Sequence, residues 1–258
     1  QAGWLATGCT YANMIGMNAG HRATGCDFSE MIGAGAGQYR VGCSTGIMIG
    51  KSAGIYGYYS HHNYSIGHYA GAFATGCDYS NNLGYYAGQA TAYVDYSNMI
   101  GCEAGRFASG CFASNMIGES GGYQAISCDY ANMIGYKAGY QATGCSETNM
   151  IGTSAGHGAS GVDTSDVIGY YAGGLASGCS TTVMLGHYAG YKASDADYSI
   201  MQGYYAGNLS TSTHSIYVGY LAGKNRHGND SLILSPSNNE TRATAAWADV
   251  GVDGIVHI

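Results

Sequence analysis

The sequence predicts an all-β protein, a β-solenoid or β-roll of about 12 to 13 coils with a 17-residue repeat. The segment NMIGYKAGYQATGCSET begins at Asn132, and the related segment NMIGTSAGHGASGVDTS begins 17 residues later at Asn149. One glycine row runs from Gly16 to Gly203 in steps of 17, and a second row follows it four residues later. Two glycine rows in a single register indicate a coil that turns at the same places in every repeat.

Composition favours short strands over helices or disorder. The 258 residues include 44 Gly, 25 Tyr and one Pro, with only 9 Lys or Arg and 16 Asp or Glu. Glycine without proline excludes collagen, and few charges with many aromatic residues argue against disorder. Two glycines per repeat would each cost a helix about 1 kcal/mol, whereas tight corners need their positive φ. The repeat is therefore interpreted as strands joined at glycine corners.

The repeat suggests two regions, a repeat domain at 1–223 and C-terminal transition or capping strands at 224–258. One residue is lost near 210–212, because Gly219 and Gly223 come one residue early. The chain starts mid-repeat at Gln1, which predicts an uncapped first coil that can pair with another chain.

Two apolar rows lie side by side in each repeat. Either both rows enter one core, with Met bending around the glycine corner, or Ile faces the interior and Met faces another subunit. Alternation of side chains along a strand favours the second interpretation. The predicted core ladder is Ile15, Ile32, Ile49, Ile66, Ile100, Ile117, Ile134, Ile151 and Ile168. The predicted subunit contact is Met14, Met31, Met48, Met99, Met116, Met133, Met150 and Met184.

A third row is cysteine, and Ser, Val or Ala fills its missing places. Such replacements favour buried free thiols that act as small apolar groups. Disulfides between neighbouring coils remain an alternative, whereas no Cys-x-x-Cys pair supports a metal column. The predicted thiol ladder is Cys9, Cys26, Cys43, Cys77, Cys111, Cys128, Cys145 and Cys179.

Polar and aromatic residues show no catalytic arrangement. Asp27, Asp78 and Asp95 recur after the cysteine row, and the interruptions of that row favour turn capping over calcium binding. The tyrosines either stack into a stiffening ladder or form a glycan-binding surface. The tyrosines of this candidate partner surface are Tyr85, Tyr86, Tyr170, Tyr171, Tyr204 and Tyr205. The sequence thus predicts no enzyme, no cofactor and no metal.

The unit N-M-I-G-x-x-A-G-x-x-A-x-G-C-x-x-S resembles the N-T-A-I-G-Y-x-A-L repeats of phage tail fibres and tail spikes. It is also similar to the S-V-A-I-G-x-x-A head repeats of trimeric autotransporter adhesins. The resemblance covers roughly 1–223 and implies a homotrimeric β-roll, although the Cys and Met rows and the longer repeat depart from those families.

These features predict a structural subunit of an extracellular or virion-surface fibre, which pairs with itself as a trimer or head to tail. The alternative is an adhesin that binds a cell-surface glycan. A net charge of −7 without a Lys/Arg cluster argues against nucleic acid, and no apolar stretch is long enough for a membrane span.

Overall fold

A computed structural model describes residues 1–161, 163–178, 180–194, 197–211, 213–227, 229–235, 249–250 and 256–257. These residues belong to two compact units, Gln1–Tyr130 and Ala131–Ile258. The described residues contain strands and turns but no helix. Each unit is a stack of coils in which one short strand per coil pairs with the strand of the next coil.

The first unit contains seven strands that pair in parallel, each with its sequence neighbour. They are β1 (Asn13–Ile15), β2 (Glu30–Ile32), β3 (Ile47–Ile49), β4 (Tyr64–Ile66), β5 (Asn81–Leu83), β6 (Asn98–Ile100) and β7 (Asn115–Ile117).

The second unit contains seven further parallel strands, followed by two strands that pair antiparallel. The parallel strands are β8 (Asn132–Ile134), β9 (Asn149–Ile151), β10 (Asp166–Ile168), β11 (Val183–Leu185), β12 (Ile200–Gln202), β13 (Ile216–Gly219) and β14 (Leu232–Ser235). The antiparallel strands are β15 (Asp249–Val250) and β16 (Val256–His257).

The predicted fold class is confirmed: the chain is an all-β solenoid of about 13 turns with a repeat of about 17 residues. The register shortens to 16 residues where Ile200 pairs with Ile216, at the predicted slip, and again where Ile216 pairs with Leu232. The parallel ladder therefore continues beyond Gly223 into β14, inside the region predicted as a cap. Residues 236–248 of that region lie outside the described residues.

Backbone hydrogen bonds between coils extend well beyond the three-residue strands. The N–H of Gly20 donates to the carbonyl of Ala36 at 2.8 Å, and the N–H of Arg22 donates to the carbonyl of Trp4 at 3.0 Å. Further along the same coil, the N–H of Thr24 donates to the carbonyl of Arg40 at 2.8 Å. Most of the turn backbone thus joins the ladder, which satisfies groups that a loop would otherwise expose.

The glycine corners are required by both conformation and space. Gly101 has a φ of +133°, a region that L side chains rarely adopt, and a Cβ there would overlap the carbonyl of Gly118 in the next coil. Gly105 has a φ of +59°, and a Cβ there would overlap the side chain of Met99. One glycine row therefore lets successive coils approach, and the other makes room for methionine.

The interior of each coil holds methionine, and this overturns the predicted orientation of the strand. Met99 is fully buried at 0% exposure, whereas its neighbour Ile100 is 37% exposed. The predicted subunit contact is wrong, because its residues are buried, apart from Met14, which is half-buried. The residues of that prediction are Met14, Met31, Met48, Met99, Met116, Met133, Met150 and Met184. The predicted core ladder is wrong because none of its members is buried: Ile15, Ile32, Ile49, Ile66, Ile100, Ile117, Ile134, Ile151 and Ile168.

The narrow coil explains this orientation. Alternation along a three-residue strand sends only its middle side chain inward. The remaining interior positions hold small side chains, as Ala19, Ala23, Cys26 and Ser29 do in the coil of β1. One long, unbranched methionine fills the space left between them, because its thioether chain adapts to irregular gaps. Branched isoleucine suits the pleated outer surface.

Paired substitutions in β6 test this orientation. We expect Met99→Ala to lower the free energy of unfolding by about 2 to 5 kcal/mol, because it leaves a cavity beside Gly105. Ile100→Ala should lower it by less, about 1 kcal/mol, because that side chain is only partly covered and its loss leaves no enclosed cavity. Urea unfolding followed by circular dichroism measures both. Equal losses, or a larger loss for Ile100→Ala, would contradict the orientation.

Candidate functional site

The outer face of the strands carries an apolar column. We call the third residue of each three-residue strand in the first unit the isoleucine column: Ile15, Ile32, Ile49, Ile66, Leu83, Ile100 and Ile117. Ile49 is 36% exposed, Ile66 40% and Ile100 37%. Parallel pairing in register places each of these residues beside its equivalents in the neighbouring coils, so the column forms a continuous apolar surface.

Beside it, the first strand position of β5, β6 and β7 holds an amide column. The side-chain amide of Asn81 donates to Oδ1 of Asn98 at 2.7 Å, and that of Asn98 donates to Oδ1 of Asn115 at 2.8 Å. In the second unit, Asn149 donates in the same way to Asp166 at 2.7 Å. These bonds run along the column, so the amides are partly satisfied within the protein and lower the cost of covering this face.

The candidate tyrosine surface forms two adjacent rows in the second unit. The ring centroids of Tyr170 and His187 are 4.9 Å apart, and those of His187 and Tyr204 are 5.0 Å apart. In the second row, one residue further along each coil, the rings of Tyr188 and Tyr205 stack at 4.8 Å with an interplanar angle of 6°. The rings thus cover one another's faces and leave mainly their edges to solvent.

The two repeat positions that form these rows also hold aromatic residues in one part of the first unit. Tyr85 is 47% exposed and stacks on His68 at 5.3 Å, and Tyr86 stacks on Tyr69 at 5.3 Å. Many of these aromatic residues have positive φ, including Tyr69 and Tyr86, which is unusual for bulky side chains. Stacking along the coils offsets part of that conformational cost.

The cysteine column lies mostly in the interior. Cys26, Cys43, Cys77, Cys111, Cys128 and Cys145 are buried, Cys9 is half-buried, and Cys179 lies outside the described residues. Cys111 and Cys128, in neighbouring coils, form a disulfide with their Cα atoms 4.4 Å apart. Among the described cysteines the others are free. Both expected states of the column, free thiol and inter-coil disulfide, therefore occur.

The aspartates after the cysteine column cap the preceding coil rather than their own turn. Oδ1 of Asp27 accepts the backbone N–H of Thr10 at 2.6 Å and its hydroxyl at 2.7 Å. Oδ1 of Asp78 accepts the N–H of His61 at 2.6 Å, and Oδ1 of Asp95 accepts the N–H of Asp78 at 2.7 Å. The two bonds from Thr10 hold the pKa of the Asp27 carboxyl below its ordinary value.

One buried residue escaped the sequence analysis. Arg40 is only 2% exposed, although it occupies a repeat position that is a buried alanine in other coils, among them Ala23, Ala74 and Ala108. The signal was present in the sequence as an arginine in a column of small residues. What the repeat alone could not show is that this column faces the interior.

Neither metal binding nor membrane insertion is indicated by the described residues. They contain no group of three or more His, Cys, Asp or Glu side chains placed to bind a metal ion. Within this part of the chain there is no helix of the length and apolarity that a membrane crossing requires. No protein-family model matches the chain, and no curated protein is significantly similar to it. The proposals below therefore rest on the geometry.

The Asp27 cap predicts a pH dependence. Because the pKa of Asp27 is lowered in the folded state, its stabilising effect is present above the unfolded value of about 3.9 and is lost as pH falls through the folded value. We expect an NMR titration of the Asp27 carboxyl to give a pKa below the ordinary range. Thr10→Val should raise that pKa part of the way, because the backbone donor remains. An unchanged pKa in Thr10→Val would contradict the assigned cause.

Proposed function

We propose that this protein is a non-enzymatic structural subunit of a fibre or filament, which associates with further copies of itself through the isoleucine column. The observation that supports the proposal is the exposure of one aliphatic side chain in coil after coil on a single face. Continuous apolar surface of this kind is typical of protein contacts rather than of surfaces that remain in water.

The occupant that fits this face best is a second copy of the chain. The aliphatic side chains recur at the spacing of neighbouring parallel strands, roughly 4.8 Å. A partner can cover all of them at once only if its own contacts recur at the same spacing, and another copy has that spacing along its whole column. Beside β5, β6 and β7 the amide column adds a polar border that limits how two such faces can align.

The tyrosine rows are less suited to the alternative function, glycan adhesion. Aromatic glycan contacts need free ring faces, whereas neighbouring rings cover both faces of His187 and Tyr188 and one face of Tyr205. The rows are better suited to stiffening the coils, which a fibre needs. A trimer at an extracellular or virion surface agrees with the repeat resemblance described above, and that location is part of the proposal.

Charge placed on the isoleucine column tests the proposal. We expect the double variant Ile49→Lys, Ile66→Lys to be monomeric at concentrations where the unchanged protein is oligomeric, because two ammonium groups in a covered face are costly to desolvate. Sedimentation velocity across a concentration series measures the change. The matched control is Tyr58→Lys, since Tyr58 is as exposed as Ile66, at 40%, but lies outside the strands.

The proposal fails if the unchanged protein is a monomer at every concentration, or if the control dissociates the oligomer as completely as the double variant does. Electron micrographs of the unchanged protein then distinguish trimers from extended filaments. Circular dichroism spectra of all variants must overlay, so that loss of assembly is not loss of fold.

A further inference from the structure

Two exposed tyrosines of the first unit lie apart from the stacked aromatic rows. Tyr59 is 66% exposed and Tyr93 is 69% exposed. Both have positive φ, 47° and 54°, at a repeat position that is glycine in the coil before each of them, Gly42 and Gly76. Bulky side chains rarely adopt this conformation, and residues held in it cluster at functional sites. The two positions are therefore candidates for a binding role.

Each of these tyrosine rings lies against the glycine of the preceding coil. A Cβ at Gly42 would lie 2.9 Å from Cδ1 of Tyr59, and a Cβ at Gly76 would lie 3.0 Å from Cδ1 of Tyr93. Among the described residues, no other ring and no cation contacts either tyrosine ring. Backbone therefore supports one side of each ring in the same way, and the opposite face is open to solvent.

The two rings occupy the same repeat position in coils that are two steps apart. The backbone ladder holds this spacing, because the N–H of Tyr59 donates to the carbonyl of Val41 and the N–H of Tyr93 donates to the carbonyl of Thr75, both at 2.9 Å. Two steps of roughly 4.8 Å place the rings about 9.6 Å apart along the stack of coils. This distance is close to the length of a two-sugar unit in a β-1,4-linked polysaccharide, in which every second sugar presents the same face.

The coil between the two tyrosines presents polar groups. Thr75 and Asp78 flank Gly76 in the sequence and are half-buried. Oδ1 of Asp78 accepts the N–H of His61 at 2.6 Å, whereas its second carboxylate oxygen and the Thr75 hydroxyl have no hydrogen-bond partner among the described residues. Apolar ring faces separated by hydrogen-bonding groups match a sugar chain, whose rings have apolar C–H faces and hydroxyl edges. A protein interface would instead need a contiguous apolar core.

We propose that Tyr59 and Tyr93 form a binding site for a neutral β-1,4-linked polysaccharide whose chain lies along the stack of coils. Two sugars pack their C–H faces on the two rings, and the hydroxyls of the sugar between them bond to Thr75 and Asp78. The net charge of −7 disfavours an acidic polysaccharide. These two rings have the free faces that the stacked tyrosine rows lack. Both lie outside the strands, so the site is separate from the isoleucine column.

Hexasaccharides test the proposal, with binding measured by isothermal titration calorimetry. We expect cellohexaose, chitohexaose or both to bind the unchanged protein, and the two ligands distinguish a glucan from a polymer of N-acetylglucosamine. Maltohexaose should not bind measurably, because its α-1,4-linked chain curves and cannot reach both rings with the same sugar face. Tyr59→Ala and Tyr93→Ala should each weaken binding about 5-fold or more. The matched control is Tyr198→Ala, which should leave binding unchanged, because Tyr198 is 62% exposed but stacks on His214.

A pair of glycine variants tests the position of the ring while the tyrosine is kept. Gly42→Ala should weaken binding toward the value of Tyr59→Ala, because the added Cβ displaces the ring of Tyr59. Gly25→Ala is the matched control, since its φ of +62° is nearly that of Gly42, at +63°, but a Cβ there would meet only backbone atoms, at 3.8 Å. It should therefore bind as the unchanged protein does.

Three results would overturn the proposal. The first is that neither cellohexaose nor chitohexaose binds the unchanged protein, which would favour a protein contact at the two rings. The second is that maltohexaose binds as tightly as they do. The third is that Tyr198→Ala or Gly25→Ala weakens binding as much as the variant it is matched with. Circular dichroism spectra of all variants must overlay, so that loss of binding is not loss of fold.

Discussion

The contact between a methionine side chain and a glycine in the same coil sets the dimensions of this solenoid. Met99 lies where a Cβ of Gly105 would be, and Met150 and Gly156 repeat that relationship in the second unit. Each methionine thereby spans the narrow interior and covers the small Ala, Cys and Ser side chains opposite. Burial of such a side chain contributes about 1.5 to 3 kcal/mol, so a stack of them supplies much of the stability that small interior residues cannot.

The choice of residues on the outer face of the strands follows from the same contact. When the middle residue of a three-residue strand must point inward, its two neighbours must point outward. The exposed isoleucine column is therefore produced together with the core, coil after coil, and the amide column arises where the first strand residue is Asn. A surface repeated in this way suits the partner that we propose, a further copy of the chain.

The glycine rows were sufficient to predict the fold class, because two glycines at fixed places in a 17-residue unit suit corners between strands and disfavour helices. Which side chains of the strand point into the core could not be predicted from the same rows. The isoleucine column is unbroken for most of the chain, whereas Ser65 and Asn82 interrupt the methionine column, and continuity favoured the wrong row as the core. Only the coil width, which depends on positive φ at residues such as Tyr69 and Tyr86, decides between them. Likewise, Arg40 could be seen in the sequence, but not that its side chain lies in the interior and bonds to the carbonyl of Ser60.

The interruption of the methionine column marks a region of weaker apolar packing in the first unit. Ser65 and Asn82 are 2% and 1% exposed, and Oδ1 of Asn82 has no hydrogen-bond partner among the described residues. Three adjacent coils thus combine Arg40, which reaches into the coil of β3, with two coils that lack methionine. Hydrophobic stabilisation is weakest there, and local opening concentrates where buried apolar contacts are fewest. Arg40, which departs from the alanine of other coils, therefore lies beside the part of the first unit that we expect to open most readily.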